Sequence, residues 1–380
     1  MKIVQEVIRK PAELGSKLAA LQAPETDLLI AFGSVEHFSA PGFAEALRTA
    51  FPQAILFGCT TAGEITATGV DDGSCTLTAI HFDKIVARCA STPLGDMDDS
   101  YAAGQRLGQQ LAAPDLKAVL LFGPGVQING SALVNGLSAV LGAALPITGG
   151  LAGDGGAFRQ TFTLGPDGVS DQTVVAVGLH GDALHFGHGS FGGWEAFGPA
   201  RKVTRCAGNI LFELDGEPAL DVYKRYLGEH ATALPASGLL FPFAMLGEDH
   251  NSIGLIRTIL GIDEAAGSLT LAGEIVTNGY LKLMHSSTEK LVNGAETAAH
   301  SAAGLPNPAA GQLAILVSCV GRKLVMGDRV DEEVEAVAAV FGKEAVLTGF
   351  YSYGEISPFA PAAACRLHNQ TMTITSLGED

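Results

Sequence analysis

A chain of 380 residues, 47% hydrophobic and 17% charged, has material for two domains or one large composite, since single cores rarely grow beyond about 250–300 residues. A formal charge of −17 without any Lys/Arg cluster excludes a phosphate backbone as partner, because that needs grouped cations for counterion release, and it disfavours an anionic membrane surface. No apolar run reaches the ~20 residues of a membrane span, and the opening Met1-Lys2-Ile3-Val4-Gln5-Glu6 lacks the build of a signal peptide.

The six cysteines form no C-x-x-C pair and lie mostly in apolar runs, which reads as reduced thiols in a cytoplasmic protein. The 48 glycines show no Gly-X-Y period and are expected at turns and close backbone approaches.

In chain order, Thr26–Phe32 reads as a buried strand, Phe43–Phe51 as a helix and Ala54–Phe57 as a second strand. That strand runs into the turn Gly58-Cys59-Thr60-Thr61-Ala62-Gly63-Glu64-Ile65. A second copy follows: strand Ala118–Phe122, helix Ser131–Leu141, then Ile147-Thr148-Gly149-Gly150-Leu151-Ala152-Gly153-Asp154. Gly181–Pro199, with the only tryptophan, Trp194, reads as a domain junction. Beyond it come strand Arg201–Cys206, helix Pro218–Leu227, strands Gly238–Phe243, Arg257–Ile262 and Ser268–Leu271, and helix Ala295–Ala303, ended by Pro306-Asn307-Pro308. The third copy closes the chain: strand Leu313–Val317, helix Glu332–Phe341, strand Ala345–Thr348 and the turn Gly349-Phe350-Tyr351-Ser352-Tyr353-Gly354-Glu355-Ile356.

Each copy is followed by a returning strand, at Ser74–Phe82, Thr173–Leu179 and Thr371–Leu377. Strand, helix, strand implies a parallel pair with a right-handed crossover, and the returning strand makes the sheet mixed. The fold class is α/β, with mixed sheets built from duplicated strand-helix-strand units.

Glycines at the carboxyl end of a parallel strand expose amides to a ligand. Glu64 and Glu355, behind two such turns, either accept bonds from a ligand ammonium group or cap the turns. Tyr351 and Tyr353 stand where the first copy has Thr60 and Ala62, and either wall a pocket or pack an element end. His180, His185 and His188 crowd a glycine-rich stretch without zinc spacing; one imidazole beside small residues suits an axial haem ligand, a buried or surface histidine being the plain alternative. His368 has neighbours that favour a satisfied structural hydrogen bond. No nucleophile elbow, Walker loop or His-Glu-x-x-His helix occurs, so no enzyme activity is expected. Cys59 reads as a small buried residue, since the third copy has Phe350 there.

These turns, with Val203-Thr204 and Leu214-Asp215-Gly216-Glu217-Pro218-Ala219-Leu220, resemble the FIST family of sensory proteins over nearly the whole chain. The resemblance implies an N-terminal FIST domain over 1–190 and a C-terminal one over 200–380, sensing a small molecule, with amino acids among the suggested ligands. Thr60, Glu64, Tyr351, Tyr353 and Glu355, at the turns, are the expected ligand-binding residues. Some stand-alone members are haem proteins that sense nitric oxide and control a histidine kinase or a cyclic-di-GMP enzyme. Gly187-His188-Gly189-Ser190 and Leu367-His368-Asn369-Gln370 look closer to that branch. On this reading haem b is the cofactor, with His188 the first choice of iron ligand and His180 the second, and no other metal is expected. A haem-free sensor of an amino acid or similar metabolite is the alternative. With no kinase or cyclase segment in view, the output is expected to pass through a separate partner.

Overall fold

A computed structural model of the chain describes residues 1–21, 25–303, 311–359 and 363–380. The duplicated segment belongs to a larger unit that opens with a strand and a helix of its own. The first unit comprises β1 (Lys2–Ile8), α1 (Leu14–Ala20), β2 (Leu28–Gly33), α2 (Val35–Phe38), α3 (Phe43–Ala50), β3 (Ile55–Thr60), the hairpin β4 (Glu64–Thr66)–β5 (Gly69–Asp71) and β6 (Cys75–His81). The second comprises β7 (Val86–Pro93), α4 (Ser100–Leu111), β8 (Leu116–Gly123), α5 (Gly130–Leu141), β9 (Ile147–Leu151), the hairpin β10 (Thr163–Gly165)–β11 (Gly168–Ser170) and β12 (Thr173–His180).

The third unit opens with β13 (Leu184–Phe191) and is then interrupted. An inserted unit holds β14 (Glu195–Ala207), β15 (Ile210–Leu214), β16 (Glu217–Pro218), α6 (Ala219–Leu227), β17 (Phe243–Leu246), β18 (Ser252–Arg257), β19 (Ile259–Asp263), β20 (Ser268–Leu271) and β21 (Tyr280–His285). The third unit resumes with α7 (Thr288–Ala302), β22 (Gln312–Cys319), α8 (Val320–Met326), α9 (Asp331–Phe341), β23 (Ala345–Ser352), the hairpin β24 (Gly354–Pro358)–β25 (Cys365–His368) and β26 (Met372–Glu379).

Three six-stranded sheets share one order: opening strand, returning strand, first strand, second strand, hairpin. The first and second strands are parallel and every other neighbour is antiparallel. The hairpin never belongs to the unit whose sheet it completes. Unit 1 lends β4–β5 to β23, unit 3 lends β24–β25 to β9, and unit 2 lends β10–β11 to β3. The exchange is cyclic, so no unit finishes its sheet alone.

The inner faces meet in a shared core. Phe32, Phe57, Phe122 and Phe350 come from all three units, with ring centroids from 4.4 Å (Phe57–Phe122) to 5.6 Å (Phe122–Phe350). Outer faces are covered by the helix pairs α1–α3, α4–α5 and α7–α9. In α4–α5 the contact runs through bare backbone: a Cβ on Gly104 would stand 2.1 Å from the Leu133 carbonyl oxygen. The inserted unit has its own core around Val203, Tyr223, Phe243 and Leu283.

Two expected strands differ. Gly238–Phe243 is a 3-10 turn (Ala236–Leu240) followed by β17, because Pro235 and Pro242 bound an apolar run too short to pair. Arg257–Ile262 divides at Thr258 into strands with different partners, β18 on β17 and β19 on β20. The Pro306–Pro308 helix stop lies outside the described residues. No described helix is long and apolar enough to cross a membrane.

Candidate functional site

The turn glycines expected to admit a ligand admit a neighbouring strand instead. Gly58, Gly149 and Gly349 lie within β3, β9 and β23, in register with Ala31, Leu121 and Leu316. At each, a Cβ would stand 2.0 Å from that partner's carbonyl oxygen.

Glu64 and Glu355 are buried. The Thr61 hydroxyl donates to Glu64 Oε1, and the Ser74 amide and hydroxyl both donate to Oε2 at 2.8 Å. The Ser352 hydroxyl donates to Glu355 Oε1 at 2.7 Å, while the Thr371 amide and hydroxyl reach Oε2 at 3.1 and 3.0 Å. Burial outweighs these donors and pushes both carboxyls up to about 7. This is turn-capping geometry: each carboxylate ties its turn to the start of the returning strand. Thr60 joins the borrowed hairpin, accepting the Phe162 amide on Oγ1 at 2.9 Å.

Tyr351 closes a buried network that the sequence reading missed. Its hydroxyl donates to Glu333, which also accepts from Ser318 Oγ at 2.9 Å and pairs with Arg322 at 2.7 Å. Arg322 donates further to the carbonyls of Gly192 and Leu291, pinning the crossing into the inserted unit. Burial and the Glu333 carboxylate hold the Tyr351 phenol well above its ordinary range.

Tyr353 leads to a cavity. Its hydroxyl donates to Asp154 and accepts the Gly156 amide at 3.0 Å. Asp154 also accepts the amides of Phe158, Arg159 and Gln160 at 2.8, 2.7 and 2.9 Å. This folded turn sets Phe158 flat on Tyr353, centroids 4.0 Å apart at 12°. Phe158 lines a cavity of about 750 Å³ between the second unit, the third unit's hairpin and the inserted unit. Val126 and Asn129 at the start of α5, Leu239, Ile259 and Glu274 of the inserted unit, and Leu367 and Asn369 from the end of β25 also line it. No lysine, arginine or histidine is among its described lining residues.

Asn369 is 2% exposed and its carboxamide oxygen has no hydrogen-bond partner among the described residues. Its neighbour Gln370 bridges to the inserted unit, donating to the Leu239 carbonyl at 2.9 Å and Thr258 Oγ1 at 3.1 Å and accepting from Trp194 Nε1 at 2.8 Å. Behind the Gly273–Glu274 wall lies Arg257, buried, with donors on the carbonyls of Ile256 and Glu274 at 3.2 Å and of Leu367 at 3.4 Å. Burial draws it down to about 10.

None of His180, His185, His188 and His368 is among the described lining residues of the cavity. His180 is buried on β12, its Nδ1 3.1 Å from Asp115 and its Nε2, beside Leu111, Leu116 and Gly178, without a partner among the described residues. His188 is half-buried on β13, and burial holds it below the ordinary imidazole range. The flanking Gly187 and Gly189 accommodate α7: a Cβ on either would stand 2.2 or 2.1 Å from the carbonyl oxygens of Ala302 and Ala298. His368 is satisfied by the Ser357 carbonyl at 2.9 Å, and burial takes it down to about 4.

The family model described as FIST N domain matches residues 27–217, and that of the FIST C domain matches 219–358. The chain belongs to the FIST family. FIST domains are associated with signal transduction through sensing of small ligands. In this FIST protein the two domain models meet inside the inserted unit, at the entry to α6. A curated relative, uncharacterized protein MJ1623 of Methanocaldococcus jannaschii, is 27% identical over 243 residues, 56% of this chain and 45% of that protein. The chain thus spans less than half that relative's length. A crystal structure of cyanuric acid hydrolase from A. caulinodans aligns over 100% of this chain and 99% of its own at 13% identity and a TM-score of 0.38, too low to carry fold or chemistry across.

Of the FIST residues expected to bind ligand, Tyr353 alone backs the cavity, through Phe158. Asn369 lies in a stretch singled out for its neighbour His368; the signal for it was a polar pair, Asn369-Gln370, interrupting two strand-like runs.

Proposed function

We propose that this FIST protein is a sensor whose ligand site is the cavity beneath the inserted unit, and that the ligand binds there without haem. The observation that carries this is Asn369, a buried carboxamide lining a cavity of about 750 Å³, whose oxygen has no partner among the described residues. A buried polar atom left unpaired costs about 1–3 kcal/mol, which a ligand relieves once the Asn369 amide turns to meet it. The volume admits an amino acid or a larger metabolite, small-molecule sites running about 300–1,000 Å³. The cavity joins two separately cored units, so occupancy alters how they meet.

His180 does not fit a haem, since Leu111 and Leu116 crowd its imidazole; His188 faces the other side of β13 from α7, half-buried with its ring 6.5 Å from that of Phe186. Output passes to a separate protein, a histidine kinase or cyclic-di-GMP enzyme, in the cytoplasm. The six free cysteines support a reducing compartment.

The test is a thermal-shift screen of amino acids and related metabolites on the full chain, repeated with Ala236→Trp, which places an indole in the cavity wall. At least one compound raises the melting temperature of the native chain and not of the variant. A panel without any such compound, or hits that ignore Ala236→Trp, overturns the reading.

A further inference from the structure

The cavity's polar groups define a ligand chemistry. Among the lining residues, the Asn369 carboxamide makes no hydrogen bond to another described residue. A carboxamide offers both a donor and an acceptor, so its complement is a group presenting the same pair in reverse. The walls are mainly apolar, and Phe158, stiffened by its stack on Tyr353, presents a flat aromatic face.

Charge decides between acids and their amides. Asp98 and Glu274 at the rim are exposed and form no ion pair with a described residue. The nearest buried cation, Arg257, is not among the lining residues; its Nε and Nη1 donate to the carbonyls of Glu274, Ile256 and Leu367, and its charge faces that of Glu274. One feature favours an anion, the N-terminus of α5, where Asn129 Oδ1 already accepts the Ala132 amide at 3.0 Å. A helix end is equivalent to about half a positive charge; at the rim Arg257 faces Glu274 from behind the wall, and Asp98 is left as a whole negative charge without a cationic partner among the described residues.

Resting on the reading of this cavity as the sensory site, we propose that it takes an uncharged or cationic ligand of the amide class. That ligand has an apolar or aromatic body bearing a carboxamide, lactam or comparable N–H/C=O edge that pairs with Asn369. Organic acids of the same size are discriminated against.

The experiment is calorimetric titration of the full chain with three probes of one body: phenylacetamide (neutral), phenylalaninamide (cationic) and phenylacetate (anionic). Both amides bind at least about tenfold tighter than phenylacetate, the worth of one well-made hydrogen-bond pair. Asn369→Leu weakens the amides by a similar factor and leaves phenylacetate unmoved. Asn369→Asp, a second variant close in shape, weakens phenylacetamide and spares phenylalaninamide. Phenylacetate binding as tightly as the amides, no binding by either amide, or an amide preference unchanged in both variants overturns the class. A metabolite-screen hit that is an organic acid, and that Ala236→Trp blocks, removes the class and leaves the site. A screen with no cavity-dependent hit removes both.

Discussion

Glu64 and Glu355 are held by the same three donors at the same three places: a hydroxyl three residues earlier, from Thr61 or Ser352, and the amide and hydroxyl of the residue heading the returning strand, Ser74 or Thr371. The second unit has Asp154 at the matching position and uses it otherwise, to fold the turn under Phe158. The first and third units keep the clasp, and in the second the turn has become part of the cavity wall.

The clasp predicts a pH dependence. Burial takes both carboxyls from an ordinary 4.5 to about 7, so the folded chain holds protons that the unfolded chain releases between those values. Stability therefore falls as pH rises from about 4.5 to 7, by up to about 3 kcal/mol per carboxyl at 1.36 kcal/mol per unit. Glu355→Gln cannot ionise. Its stability relative to the native chain rises across that window in urea melts at several pH values; a constant difference contradicts the assignment.

The glycines of the second strands make a sharper test. Gly58→Ala and Gly349→Ala each drive a methyl group into the facing carbonyl oxygen of Ala31 or Leu316, and the parallel pair has to part. Each costs at least about 3 kcal/mol, in the upper tail for single substitutions. Gly208→Ala, at a position with no heavy atom near its Cβ but with φ +57°, costs about 1 kcal/mol. Chemical denaturation ranks the three, and equal losses contradict the packing account.

Arg322 and Glu333 form an ion pair with both side chains fully buried. Breaking such a pair from one side strands a charge and costs about 3–5 kcal/mol. Arg322→Met and Glu333→Gln each lower the melting temperature, while Tyr351→Phe, which removes one hydroxyl from the network, costs about 1–2 kcal/mol. An Arg322→Met/Glu333→Leu double variant loses less than the sum of its single changes. Additive losses contradict a coupled pair.

Haem titration addresses the alternative cofactor. The account predicts no saturable Soret band at one haem per chain beyond that of an unrelated control protein. A stoichiometric band abolished by His188→Ala or His180→Ala replaces the cavity reading with a haem one.

Much of this fold was legible. All three strand-helix-strand copies and their returning strands are where periodicity puts them, because those runs are uniformly apolar and bounded by glycine. The hairpin exchange was not legible: Glu64–Thr66 and Gly354–Pro358 are short, and nothing local says whose sheet a short strand joins. The interruption after β13 hid the third unit's opening strand, since β13 and its partner β26 lie more than 180 residues apart. At the site, paired glutamates and glycine-flanked histidines drew the eye because their residue types carry chemistry. Their partners, Ser74, Thr371 and the carbonyls of α7, are assembled only by the fold. Asn369 gains its meaning from missing a partner, which a sequence does not display.

The most direct measurement is a crystal structure of the chain with a ligand found by the metabolite screen. The account predicts ligand density between α5 and Glu274, in contact with Asn369 and against the Phe158 ring. Ligand density at Glu64 and Glu355, or beside His188, with the cavity empty, would contradict it.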